Sequence, residues 1–374
     1  MRRFPLLKLP LLVLEIVLKN LNIKDLIDLS MMSSKFKCTL ENFKLPIIDF
    51  KVHIGAFYTW LIFGYKEKNE KGKSIQKSMK FESYYSVDSY DRNRWKIRRI
   101  NGEKVIYVDT KNDTRLDSER ILMSKNKSIE ARVELLEQIC THLLSFMNVK
   151  SLEVICRQGM NFSRISWIWK LAKTLDRFEV TPLHYTLSLH IRPIQVTQED
   201  LEFLLENANT HKLSLTVACP GVKYSKPFDF SAIQIGNSSW VDFKNLKIHP
   251  RTNKIEFGID GEEVAEADIN RLIKEWVDRT DSSLKELKFV FNEGSNQKIE
   301  MEKILEGLEA VTDYRSNQVS RSDTSVEICR VIRNKTGTTM GAITQVSKFR
   351  EIAFVTWTEQ DLKDLAESEG RQWP

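Results

Sequence analysis

The stretch from Leu9 to Leu21 is too apolar for an ordinary surface helix, and it constrains the rest of the chain. After Leu9-Pro10 come Leu11, Leu12, Val13, Leu14, Ile16, Val17, Leu18 and Leu21, with only Glu15, Lys19 and Asn20 polar among them. Proline suits the first helical position, because its missing N–H has no intrahelical partner there anyway. Wound at 3.6 residues per turn, these side chains cover nearly the whole circumference, and a helix apolar all round must be covered on all sides. A second helix is expected from Asn22, an N-cap residue followed three on by Asp25, a relative of the capping box. Ser33-Ser34-Lys35-Phe36 restarts a third. A unit of about forty residues cannot shelter so much apolar surface by itself. Its simplest use is as a docking face for another protein; the alternative is an ordinary core helix of the domain that follows.

Two other readings of this stretch fail on composition. A secretory signal would share the basic start at Arg2 and Arg3, but Lys8 and Glu15 interrupt the apolar region and no small-residue cleavage site follows. A membrane span needs about 20 apolar residues, and the uninterrupted run from Leu9 to Leu14 is far shorter. A net charge of +6 is mild for 374 residues and does not imply nucleic acid. Cys38, Cys140, Cys156, Cys219 and Cys329 are odd in number, far apart and form no Cys-x-x-Cys pair, the usage of a reducing compartment. Cytoplasm or nucleus is the expected location, with no membrane and no nucleic acid as partner.

Leu9-Pro10, Leu14, Val17-Leu18, Leu21, Asp25-Leu26, Leu29, Ser33, Lys35 and Phe36 resemble the F-box framework of Leu-Pro, spaced leucines, Asp-Leu and Ser-Lys-Trp without a gap. Leu11 and Leu12 stand where acids usually follow the Leu-Pro, and Phe36 stands where Trp is common. The resemblance implies a three-helix module that binds a Skp-family adaptor and, through it, a cullin–RING ubiquitin ligase. It implies that Leu9, Pro10, Leu14, Val17, Leu18, Leu21, Leu26 and Leu29 supply either the adaptor interface or its supporting core.

Beyond the helices the signal turns to strands. Phe57 to Phe63 is a continuous aromatic and β-branched run, Met79 to Val87 a less regular one, and Arg94 to Val108 carries Asn101-Gly102, a strong short hairpin signal. Residues 53–110 therefore read as a small antiparallel sheet. Between its first two strands the lysine-rich stretch Lys66 to Lys80 reads as a solvated loop, with nucleic-acid contact the lesser alternative. A polar linker from Lys111 to Lys127 follows.

From there helix and strand alternate. Ile129, Val133, Leu136, Ile139, Cys140, Leu143 and Leu144 form one amphipathic stripe, followed by a strand at 152–155. Thr197 can cap a helix carrying Leu201, Leu204 and Leu205, followed by a strand at 213–217. A third helix holds Ile269, Leu272, Ile273, Trp276 and Val277, followed by Leu284 to Phe289. Further strand-like pieces are 187–189, 233–235 and 255–257. Strands recur every 20 to 40 residues or so, the range of stacked repeats. The Leu-x-x-Leu ends look like degenerate leucine-rich repeats, and an ordinary mixed α/β domain is the alternative. Ile233 to Trp240 (with Asn237-Ser238-Ser239-Trp240), Leu246, Ile255, Asp268-Ile269-Asn270, Trp276 and Leu284 to Lys288 also resemble the type-2 F-box-associated domain of the large nematode F-box family. Arg330, Asn334 to Thr338, Phe349-Arg350 and Ile352 to Trp357 resemble its closing turn and strand, with Asn and Lys replacing parts of the turn.

The expected fold is thus α+β or α/β: an F-box over 1–45, a β-rich connecting region over 46–127, and an irregular leucine-rich-repeat-like α/β solenoid over 128–374 that recognises a protein substrate. No catalytic residue, metal ligand or cofactor is expected. His53, His142, His184, His190, His211 and His249 are scattered without metal-ligand spacing, no glycine loop opens a helix after a strand, and no Gly-x-Ser-x-Gly elbow occurs. A ligase receptor needs none of these, because other subunits supply the activated ubiquitin and the receptor supplies proximity. The alternative function is a protein-interaction scaffold outside any ligase, using the repeat-like domain.

Overall fold

The computed structural model describes residues 8–55, 58–68, 73–84, 95–100, 103–109, 119–124, 128–157, 161–171, 175–182, 192–260, 264–279, 283–291, 299–313, 326–337, 339–346 and 350–358. They form a mixed α/β protein of eight α-helices and twenty β-strands. The chain divides into two units, Met1–Arg177 and Phe178–Pro374.

The first unit opens with three ten-residue helices, α1 (Leu11–Asn20), α2 (Ile23–Met32) and α3 (Ser34–Phe43). Pro10 lies one place before the helix rather than at its first position. With φ −53° and ψ 145° it is the N-cap, and its carbonyl accepts from the Leu14 N–H at 2.9 Å. The Asn22 side chain accepts from the Asp25 N–H at 2.8 Å, as its residue type dictates. The Asn22 side-chain amide in turn donates to the Asp25 carboxylate at 2.5 Å, closing the cap side chain to side chain. Ser33 caps α3 through the Phe36 N–H.

Next come β1 (Leu45–Ile47), β2 (Asp49–Ile54), β3 (Tyr58–Lys68), β4 (Ser74–Tyr84), β5 (Trp95–Ile100), β6 (Glu103–Asp109) and β7 (Glu119–Ser124). Helix α4 (Ile129–Phe146), β8 (Met147–Val149), β9 (Leu152–Cys156), a 3-10 turn at Phe162–Ile165, α5 (Ile168–Leu171) and β10 (Leu175–Val180) complete the series. The sheet runs β9-β2-β3-β4-β7-β6-β5. Every pair among residues 53–110 is antiparallel, as expected, but the wider sheet is mixed because β9 and β7, from outside that stretch, join it in parallel. The pairs β2–β3, β3–β4, β5–β6 and β6–β7 are antiparallel, whereas β9 on β2 and β7 on β4 are parallel. Strand β7 falls inside the stretch expected to be a linker: Ile121, Leu122 and Met123 are a short apolar triplet among charges, and pairing between β4 and β6 supplies the order that its sequence does not advertise. The lysine-rich stretch is also largely strand rather than loop, because β3 continues to Lys68 and pairs it with Ser74. Lys66, Lys73 and Lys77 are exposed, while Lys80 lies 5.1 Å from the Trp60 ring and 3.0 Å from Glu82. Residues 101–102 lie outside the described residues, but Ile100 faces Glu103 across the β5–β6 pair.

Alternation sets the core of this unit. Phe50, Val52 and Ile54 of β2, Leu61 and Phe63 of β3, and Met79 and Phe81 of β4 are all buried, and α4 buries Val133, Leu136, Ile139, Cys140, Leu143 and Phe146. The long helix packs on β3 and also on α3. Burial pushes the Cys140 thiol well above its ordinary range, so it is an inert apolar filler.

The second unit contains β11 (Ile194–Gln195), α6 (Gln198–Asn207), β12 (Thr210–Leu215), β13 (Val217–Ala218), β14 (Ala232–Ile235), β15 (Lys254–Ile259), α7 (Glu266–Asp278) and β16 (Glu286–Phe291). It ends with α8 (Met301–Ile304), β17 (Ala310–Asp313), β18 (Val326–Arg333), β19 (Thr339–Val346) and β20 (Glu351–Thr358). Strands β12, β14, β15 and β16 are parallel neighbours, with Leu213, Ile233, Ile255 and Leu287 in one register row. Strand β20 then pairs antiparallel with β16, and β19, β18 and β17 continue antiparallel. Thr197 caps α6 through the Asp200 N–H at 3.1 Å, as expected. The expected strand at 187–189 lies outside the described residues.

Two contacts fix the parallel rows. A Cβ on Gly258 would stand 2.5 Å from the Gly236 carbonyl oxygen, so only glycine lets the strands meet there. Trp240, wholly buried, donates its indole N–H to the Val217 carbonyl at 3.1 Å and meets Tyr224 and Phe228 edge-on. Trp276 of α7 meets Phe354 of β20 edge-to-face at 4.9 Å, and Gly341 leaves the room that ring occupies.

Candidate interaction surfaces

The all-round apolar character of α1 resolves into two sides. Leu14 and Leu18, four apart, are 5% and 3% exposed; Leu12, Val13 and Ile16 are 74%, 42% and 62% exposed. Residues three and four apart share a helix face, so these last three form one apolar strip in water. Met32, at the end of α2, is exposed as well. Among the residues that the resemblance implies for the adaptor, Leu14, Leu18 and Leu26 are buried. Leu9, Val17, Leu21 and Leu29 are half-buried, and Pro10 is exposed. The buried three therefore support the module from within, and the apolar surface offered to solvent is made chiefly by Leu12, Val13, Ile16 and Met32. None of those four is among the residues that the resemblance implies for the adaptor, although Leu12, Val13 and Ile16 belong to the apolar run that marks the helix. A helix apolar on every side has no periodicity to mark which leucines face out.

The inner sides of α2 and α3 bury Leu26, Ile27, Met31, Phe36 and Leu40, and α3 rests on α4. At the centre Ser30 Oγ lies 2.9 Å from His142 Nε2 of α4, with both residues buried. The serine hydroxyl donates to the Ile27 carbonyl at 2.7 Å, so it accepts from a protonated His142 Nε2. Desolvation and the nearby Lys37 ammonium hold the His142 pKa down at about 4, keeping the ring neutral. At the rim Lys44 Nζ donates to the Ser145 carbonyl at 2.6 Å.

A second surface lies on the uncovered side of the parallel strands in the second unit. Ser214, Gln234, Glu256 and Lys288 share one register row. Gln234 Nε2 donates to Glu256 Oε1 at 2.9 Å, Lys288 pairs with Glu351 at 2.7 Å, and Lys254 with Glu286 at 2.6 Å. This face is polar, half-buried and largely neutralised by its own pairs.

No family model, curated protein or solved structure matches this chain. Among the described residues no group of three or more His, Cys, Asp and Glu side chains is placed to hold a metal ion. No described helix is long and apolar enough to cross a membrane. Of the histidines, His53 stacks flat on Trp60 with centroids 4.5 Å apart and accepts from Arg157 at 3.3 Å, a packed structural role. Trp167 is buried, as a core aromatic.

Proposed function

We propose that this chain is an F-box protein of the large nematode family with a type-2 F-box-associated domain, acting as the substrate receptor of a Skp–cullin–F-box ubiquitin ligase. The observation that carries the proposal is the exposed apolar strip of Leu12, Val13 and Ile16 on the first of three short helices. Large aliphatic side chains in water, next to a buried support of Leu14 and Leu18, are what a protein partner would cover. The F-box framework of Leu9-Pro10 through Phe36 gives that partner its identity as a Skp-family adaptor. In this reading the parallel rows of β12, β14, β15 and β16 belong to an irregular leucine-rich-repeat-like solenoid, and its uncovered polar face receives the target protein. The chain itself performs no chemistry; it holds two proteins near one another. Mixing the purified full-length chain with a purified Skp-family adaptor should give a single complex by size-exclusion chromatography. Two separate peaks at micromolar concentrations of both would remove the proposal.

A second reading, a scaffold that works outside any ligase, draws on a different observation. The buried Ser30–His142 bond and the packing of α3 on α4 tie the amino-terminal helices into the first unit. On this reading residues 1–45 are part of that unit's core, and the chain binds proteins through the second unit with no adaptor bound at all.

A further inference from the structure

The carboxyl-terminal half of α7, the turn after α8 and the turn that joins β18 to β19 enclose an open groove of about 590 Å³, within the size range of clefts that bury small ligands. Its floor is apolar, formed by Val277, Leu308 and the buried Ile332. Its rim is cationic. Lys274 from α7 and Arg333 from β18 both line the groove and have no acidic partner among the described residues. The third cation, Lys335, is spent on Asp278 at 2.7 Å. The one remaining acid on the rim is Glu309, exposed to solvent.

The walls are fixed before any ligand arrives. The Lys335 N–H donates to the Val277 carbonyl at 2.9 Å, pinning the β18–β19 turn to the end of α7. The buried Asn270 side chain donates to the Ile304 and Glu306 carbonyls at 2.6 and 3.0 Å, pinning the opposite wall. Gly307 sits in that wall at φ +70°, and a Cβ there would come within 3.1 Å of the Lys274 ammonium. The ammonium therefore rests against the backbone of that turn and forms no ion pair with its Glu306 or Glu309 among the described residues. An apolar floor beneath two cations without ion-pair partners among the described residues, outnumbering the single exposed acid Glu309 and held by a rigid frame, suits a segment in which acidic and aliphatic side chains alternate.

We infer that this groove binds an acidic peptide segment of a partner protein, with carboxylates on Lys274 and Arg333 and an aliphatic side chain on Val277, Leu308 and Ile332. The inference deepens the receptor proposal and rests on it for the peptide's role as part of a target; peptide binding itself is measured with no adaptor present. The probe is a short fluorescein-labelled peptide alternating leucine and glutamate, titrated with the intact chain in fluorescence polarisation. Saturable binding is expected, about tenfold weaker for Lys274→Ala with Arg333→Ala, and lost when glutamine replaces glutamate in the peptide. Lys150→Ala with Lys170→Ala removes the same charge from exposed positions of the first unit and should change binding by less than about twofold. Lys274→Glu with Arg333→Glu should instead bind a leucine–lysine peptide that the native chain ignores, a gain that a misfolded protein cannot give. Absence of saturable binding, equal weakening by both alanine pairs, or equal binding of the glutamine peptide would each overturn the inference. Adaptor binding is read separately, so failure here leaves the ligase proposal standing, and the reverse.

Discussion

Replacing Leu12 and Ile16 together by Asp separates surface from support in the amino-terminal helices. Fully burying a Leu or Ile side chain contributes about 1.5–3 kcal/mol. Leu12 is 74% and Ile16 62% exposed in the free chain, so a partner that covers them gains about 1–2 kcal/mol from each. Losing both costs about 2–4 kcal/mol, and two carboxylates forced against an apolar partner add a desolvation cost. Affinity for the adaptor should therefore fall roughly a hundredfold or more. The fold should barely notice. Both positions face water, where substitutions change stability by about 0.5 kcal/mol, and an acid at position 12, in the first turn, suits the helix dipole. Leu14→Asp is the opposite case, since it buries a charge in a site 5% exposed and should unfold the module outright. Titration calorimetry against the adaptor, with a thermal melt of each variant, makes the comparison. Unchanged affinity in the double variant would refute the assignment of this strip to the adaptor. A collapsed melt would refute the claim that the strip is free.

Three further outcomes follow from the packing. The His142 pKa is lowered from 6.5 to about 4 by burial, so the unfolded chain takes up a proton there before the folded one does. Above pH 6.5 the ring is neutral in both states and has no effect; between about 6.5 and 4 stability falls, by about 3 kcal/mol in all. Urea unfolding of His142→Gln should lose that part of the pH slope, and an unchanged slope would show that the ring is not held neutral. Gly258→Ala drives a Cβ into the Gly236 carbonyl and should destabilise the second unit by about 1–3 kcal/mol; a wild-type denaturation midpoint would contradict the close approach. Trp240→Phe leaves the Val217 carbonyl without its donor and should cost about 1–3 kcal/mol, readable in the same experiment.

The helices with clear periodicity were legible in advance. The stripe of Val133, Leu136, Ile139, Cys140 and Leu143 marks α4, and Thr197 and Asn22 mark helix starts because their side chains reach a free N–H. Parallel strands such as 254–259 were legible through their β-branched and aromatic runs. What escaped were strands whose order comes from neighbours. Strands β7 and β10 read as charged chain with a few apolar residues, and the β18–β19 pair showed itself only through the turn at 334–338. The lysines at the end of β3 and the start of β4 hid how far those two expected strands extend, behind a composition that suits a loop. At the candidate docking surface the region was legible but the residues were not. Leu12 and Leu14 are chemically alike, and only packing decides which one meets water.

The bond between Ser30 and His142 bears on how this chain would behave in an assembly. A recognition module hung on a slack tether can swing, and its partner then fixes little more than a distance. Here α2 is joined through a buried polar contact to the long helix that backs the first sheet. Whatever grips the leading helices would therefore steer that sheet in angle as well as in place, turning with it as a single lever.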